Sequence, residues 1–291
     1  APKTRFGLWV TIIICLVSIS SFSQDWNEVI TTFASDKTAD DLFGFNVSIS
    51  GNRAAVGAVY EDHDANGGSE LEKAGSVYIF ELKDGAWTET AKLIPADRGL
   101  DDNFGYNVCI DGDRIIVGAF NEDHDVSGGS VVPDAGSAYI FDLIGGTWTE
   151  TAKLVASDRA HSNKFGVNVS ISGDKAIVGS YYNDLDSAGE NHVTNAGAAY
   201  IFELSGGTWT ETVKLVAPDR GTSDLFGYSV SISGDKAVVG AYRNNSKTGA
   251  AYVYEKNGGT EHNQFFINKD KKTLEMLISK NDCIKIEEKY F

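Results

Sequence analysis

Proline is scarce, at 4 of 291 residues, while glycine is plentiful, at 31. That balance excludes proline-rich disorder and collagen, and it suits many short strands joined by glycine turns. Cysteine is scarcer still, at 3 residues, one of them (Cys15) inside an apolar N-terminal run. Cys109 and Cys283 do not make a disulfide framework. Cys109 stands where the other copies of a repeat described below carry Ser48, Ser170 and Ser231, so it reads as a small buried thiol. Basic clusters are missing. The net charge is −16, no stripe of Lys or Arg exists, and nucleic acid is excluded as a partner. No nucleophile motif and no phosphate-binding glycine loop is present. No carboxylate pair stands in an apolar setting of the kind that raises a pKa for acid–base work.

What is present begins with a leader. Lys3 and Arg5 precede the apolar run Leu8 to Val17, and Ser21-Phe22-Ser23 offers small residues at both key positions. Residues 1–23 therefore read as an export signal cut before Gln24. The run is short for a span of about 20 residues, so no membrane span is expected after cleavage. The expected destination is outside the cell or on its surface.

A repeat organises the rest. Phe-Gly recurs at Phe43, Phe104, Phe165 and Phe226, and tryptophan at Trp26, Trp87, Trp148 and Trp209, with a period of 61 residues. A fixed long period defines a repeat architecture. In each copy the Phe-Gly run alternates, as in Phe226, Tyr228, Val230 and Ile232 against Gly227, Ser229, Ser231 and Ser233. Two is the strand period. A glycine turn such as Asp111-Gly112-Asp113 leads to a second run, Ile115 to Ala119, that is apolar on both faces. Its glycine admits close approach by a neighbouring sheet. A third run, Gly136 to Phe141, and a more polar fourth run starting at Trp148 complete the unit.

Four antiparallel strands with inner ones covered on both faces describe a blade of an all-β propeller. Residues 24–256 are expected to form four such blades. The fourth lacks an outer strand, because Glu261 stands where tryptophan belongs. The strand starting at Trp26 is expected to fill that place and close the ring; the alternative is an arc of a longer propeller. In the tail, 257–291, Leu274, Leu277 and Ile278 suggest a helix, while Phe265-Phe266-Ile267 suggests a strand competing with Trp26.

The Phe-Gly, the Val56-Gly57-Ala58 that stands for Gly-Ala-Pro, and the Gly-x-x-Tyr-x-Phe run together resemble the FG-GAP repeats of the integrin α-chain propeller and of bacterial exported proteins. The resemblance implies a β-propeller and is compatible with adhesion. It does not bring calcium sites. The integrin calcium loop lies between the Phe-Gly strand and the Gly-Ala-Pro strand, where this chain has only a Ser-Gly-Asp type of turn.

Acidic loops sit instead between the second and third strands. In the first copy Asp62, Asp64, Asn66 and Glu70 occupy positions 1, 3, 5 and 9 with Gly67 at position 6. Calcium needs several oxygens converging from a tight turn. Asp123, Asp125 and Ser127 repeat part of the pattern, and Asp184 and Asp186 less of it. The bland alternative is a solvated loop capped by Asx turns. His63 and His124 offer imidazole for a transition metal. The connections between blades, on the same face, carry Asp97-Arg98, Asp158-Arg159 and Asp219-Arg220. Asp–Arg pairing within each connection is the default expectation; a ring of Arg98, Arg159 and Arg220 meeting a partner is the functional one.

The leading expectation is a non-catalytic surface module that binds protein or glycan, with calcium as an optional ligand. The alternatives are a glycan hydrolase and a purely structural matrix component. Gly146-Thr147-Trp148 matches only the end of a turn found in some propeller hydrolases.

Overall fold

The computed structural model describes residues 28–68 and 70–256, together with the backbone of three strands in the tail. The expected signal peptide, Trp26 and the side chains of the tail, including Cys283, lie outside the described residues. The chain divides into two units, residues 1–32 and 33–291. The first is described only over 28–32, where the Thr31 hydroxyl donates to Glu28.

The second unit holds four antiparallel sheets in chain order. The first blade is β1 (Phe43–Ser50), β2 (Arg53–Ala58), β3 (Ser76–Lys83) and β4 (Ala86–Leu93). The second is β5 (Asn107–Asp111), β6 (Arg114–Ala119), β7 (Ser137–Ile144) and β8 (Thr147–Leu154). The third is β9 (Phe165–Ser172), β10 (Lys175–Ser180), β11 (Ala198–Ser205) and β12 (Thr208–Leu215). The fourth is β13 (Phe226–Ser233), β14 (Lys236–Ala241) and β15 (Ala250–Glu255), with the one-turn α1 (Asn244–Lys247) in the short β14–β15 connection. It continues into β16 (Gln264–Asn268), β17 (Thr273–Ile278) and β18 (Asp282–Glu287), making a six-stranded sheet.

Two expectations change here. Residues 273–278 form a strand, not a helix. The outer place beside β15 belongs to β16, not to a strand beginning at Trp26. Residues 28–42 contain no strand. A hairpin partner a few residues away closes a far shorter loop than one from the other end of the chain.

The blades stack through their inner strands, β1 on β5, β5 on β9 and β9 on β13. Between blades one and two, Ala55, Val77 and Ile79 pack against Val108, Ile110 and Val117. The next joint repeats this with Ile116, Ala138 and Ile140 against Val169, Ile171 and Val178. Each joint is also hydrogen-bonded. Val108, Ile110 and Gly112 donate their backbone N–H to the side chains of Asn46, Ser48 and Ser50 at 2.9–3.1 Å. Val230, Ile232 and Gly234 do the same to Asn168, Ser170 and Ser172. An edge strand's free donors are thereby satisfied by its neighbour's side chains. Cys109 replaces one such serine; it is half-buried, with its Sγ 4.0 Å from the Ile171 carbonyl.

The glycine of the second run does what close packing requires. A Cβ on Gly118 would lie 1.9 Å from the Gly166 carbonyl oxygen of the next blade. No residue but glycine fits that approach.

Candidate binding face

The β2–β3 type of loop and the connection between blades meet at one end of the sheets. Backbone bonds from Asp101 to Glu72 and from Asn103 to Lys73 tie them together. Beneath them lies a polar cluster that sequence reasoning did not find. Glu61, fully buried, accepts from the Tyr78 hydroxyl at 3.0 Å and lies 3.2 Å from Lys92 Nζ. Asp36 accepts from Tyr78 and Lys92 at 2.6 Å each. The second blade repeats this with Glu122, Lys153, Tyr139 and Asp97. The third uses Asn183, Lys214, Tyr200 and Asp158. The fourth keeps Tyr252 donating to Asp219.

The electrostatics follow from that geometry. Burial alone would raise the Asp158 carboxyl, but hydrogen bonds from Lys214 and Tyr200 outweigh it and hold it below the usual range. Asp36 is held low in the same way by Lys92 and Tyr78. Burial, with Glu122 and Asp97 close by, drives the Tyr139 hydroxyl far above its ordinary value, so it stays a donor. The cluster's cations are closed off from solvent and act as struts for the loops.

The Asp–Arg pairs do not pair with each other. Asp97 reaches forward to Tyr139 and Lys153 of the following blade, while Arg98 reaches back to the Asp62 carbonyl at 2.7 Å. Arg159 reaches the Asp123 carbonyl at 2.9 Å, and Arg220 reaches the Asp184 carbonyl at 2.7 Å. Each connection is a stitch between two blades. Desolvation lowers the Arg98 and Arg220 guanidinium pKa against the pull of nearby carboxylates. None of the three guanidinium groups stands out as a free charge on the face.

The acidic loops are held by their own backbone. Asp62 accepts the Lys73 N–H at 2.7 Å, and Asp64 accepts from Asn66 and Gly68 at 2.8 and 2.9 Å. Asp123 accepts from Asp134, and Asp125 from Ser127 and Gly129. Asp184 accepts from Asn195, and Asp186 from Ala188 and Glu190. The Ser127 hydroxyl, helped by the Ser127 and Gly129 N–H groups, pushes the Asp125 carboxyl well below its usual range, and the Glu190 N–H with the Asn191 side chain brings Asp186 down to about 2. Among the described residues no group of three or more His, Cys, Asp or Glu side chains gathers in a metal-binding arrangement. His63 Nδ1 lies 3.1 Å from Glu61 and its Nε2 3.6 Å from the exposed Glu70. His124 sits likewise on Glu122.

The same end carries a belt of aromatic side chains. Phe45 meets Tyr106 at 5.0 Å between ring centroids, and Tyr106 meets Phe120 at 4.4 Å. Farther along, Tyr181 contacts Tyr182 and Tyr228, and Tyr228 contacts Tyr242. Phe45, Tyr60, Tyr182, Tyr228 and Tyr242 are exposed. The available signal was positional: several aromatics cluster at the start of the Phe-Gly strand and just after the Gly-Ala run, where a mere core would need none.

Tandem blades joined by one recurring joint, with loops gathered at one end, define a repeat scaffold of the propeller type. The FG-GAP repeat profile matches residues 26–80, 87–141, 148–202 and 209–254, and the chain belongs to that family. A search of curated proteins finds no match to the chain. The second, third and fourth matched units each run from the outer strand of one blade to the third strand of the next, so the sequence repeat is offset from the blade by one strand.

Proposed function

We propose that the chain is an exported, non-catalytic binding module whose ligand is a surface protein or glycan held at the loop-rich end. The exposed aromatic belt carries this reading. Aromatic faces on rigid strand ends give apolar contact area at low entropic cost, and their edges and hydroxyls add polarity. Tyr182, Tyr228 and Tyr242 lie beside loops braced from below by Lys214, Asp158 and Asn183. Loops that vary between blades on a fixed scaffold suit specificity. The export signal and the FG-GAP family agree with a place outside the cell or on its surface.

Calcium enters as an optional ligand of the first loop. Binding there would require Asp62 and Asp64 to exchange backbone N–H partners for the ion. A saturable rise in Tm on calcium titration, lost in D62A/D64A, is the check.

The deciding experiment is an array of glycans and extracellular proteins probed with the chain. Y182A/Y228A/Y242A is expected to lose binding at least tenfold with an unchanged melt. Equal binding by that variant would sink the aromatic reading. Release of sugar from any bound glycan would replace it with the hydrolase.

A further inference from the structure

The stack of blades ends in two uncovered faces, and they are the two halves of one joint. On the first blade, Val47 is 65% and Ile49 is 66% exposed. Their counterparts one blade on, Val108 and Ile110, are 4% and 5% exposed because blade one covers them. On the fourth blade, Val238 and Val253 are 41% and 43% exposed, where their counterparts Ile116 and Ile140 are fully buried by blade three. The polar halves correspond too. Ser229, Ser231 and Ser233 are exposed and occupy the places of Asn168, Ser170 and Ser172, which accept from blade four. At the other end, Val47, Ile49 and Gly51 occupy the places of the donors Val108, Ile110 and Gly112. One end offers a row of acceptors, the other a row of donors, with apolar side chains beside each.

Gly240 supports the same match. Gly57, Gly118 and Gly179 each lie under the carbonyl oxygen of Gly105, Gly166 or Gly227. A Cβ on Gly240 would meet no backbone within 3.5 Å, only the Ser229 side chain and, farther off, its carbonyl. Its missing neighbour is the Gly44 position, where nothing lies within 4 Å.

We propose that a second copy of this chain docks head to tail, the free face of its first blade on the free face of the fourth, rebuilding the joint that recurs within the chain. The partner is a copy because the two faces complement each other and neither complements itself. Such a contact is heterologous, and it forms a closed assembly only if the rotation closes. Two copies joined at both ends give eight blades, within the size range of propellers. This joint is weaker than the internal ones. Arg53, Arg114 and Lys175 reach Asp113, Asp174 and Asp235 across those joints, whereas Lys236 would meet Asn52.

The test is the mass of the full chain in solution, by sedimentation velocity from 1 to 100 µM. The expected result is a dimer for the parent chain. V47D/I49D and V238D/V253D are each expected to be monomeric, with cooperative melts, because all four side chains are exposed. Mixed in equal amounts they are expected to recover a one-to-one complex, since each still carries one intact face. Ser231→Trp, at an exposed position, blocks the fourth-blade face a second way should the aspartates disturb folding. A parent chain that stays monomeric at 100 µM overturns the proposal, whether residues 1–32 or the tail cover the faces. So does loss of dimer in V47D/I49D with full retention in both fourth-blade variants, which would mean that two first-blade faces meet.

Discussion

Blades two and three differ from blades one and four less in sequence than in what lies against them. Val47 and Val108 are the same residue at the same repeat position, yet one is in solvent and the other in the core. The core of this protein is therefore not inside a blade. It lies at the joints, and a blade supplies half of each. That is how nearest-neighbour repeat arrays are stabilised: intrinsic unit terms are small and interface terms decide.

The sharpest way to break the comparison is at the glycines. Gly118→Ala drives a methyl group into the Gly166 carbonyl. It is expected to cost about 4 kcal/mol in chemical denaturation, in the range reserved for named steric faults. Gly240→Ala, read at dilutions where the chain is monomeric, meets only the Ser229 hydroxymethyl at short range, which can rotate, and is expected to stay within about 1 kcal/mol. Equal losses at both sites would mean that the joints are not where stability resides.

The polar struts come next. Lys153→Met leaves the buried Glu122 and the half-buried Asp97 without their cation. An expected loss of about 3 kcal/mol follows from stranding a buried charge. The melt of K153M should recover in part when Glu122 is also changed to Gln, and a full double-mutant cycle measures the coupling. Blade four, where Tyr252 holds Asp219, offers the contrast.

A third comparison uses one side chain in two places. Ile110→Ala empties a joint and is expected to cost about 2–3 kcal/mol, while Ile49→Ala, read at dilutions where the chain is monomeric, is expected to stay within about 0.5 kcal/mol. The smallest effect is a pH dependence. Burial, with Glu122 and Asp97 nearby, pushes the Asp102 carboxyl up to about 7 despite a hydrogen bond from Gly99. A raised carboxylate pKa means that the folded state holds a proton the unfolded state has lost. Stability therefore falls as pH rises from about 4 to about 7 and is level above that. Asp102→Asn copies Asn163, its counterpart in blade three, and is expected to flatten the fall.

Much of the fold was legible because period-two runs, glycine turns and a fixed repeat all pointed to the same strands. Two misreadings, at Leu274 to Ile278 and at Asp97-Arg98, have physical causes. Leu274, Leu277 and Ile278 fit a helical spacing, but a short apolar run satisfies either period, and it forms β17. Asp97 and Arg98 are neighbours in sequence, yet their side chains serve different blades, which no local rule reveals. Alternating acidic residues fit a calcium loop and an Asx-capped turn alike, and backbone N–H groups hold them here. The buried Glu61 and Glu122 were hidden because they stand just after an apolar run, where a carboxylate reads as loop surface. Their partners Lys92 and Lys153 recur with the period, and that recurrence was the usable signal.

The Asn and Ser side-chain bonds between inner strands connect residues 62 apart at each joint, and the ion pairs across the joints connect residues 60 apart. The chain therefore never has to find a partner more distant than about one repeat to build its core. Loop-closure entropy depends on that separation and not on total length, and folding speed follows the same locality. A chain emerging from the ribosome can settle each blade onto the one before it. Lengthening such an array by further repeats adds stability at the new joint while leaving the search that forms each joint as short as the first.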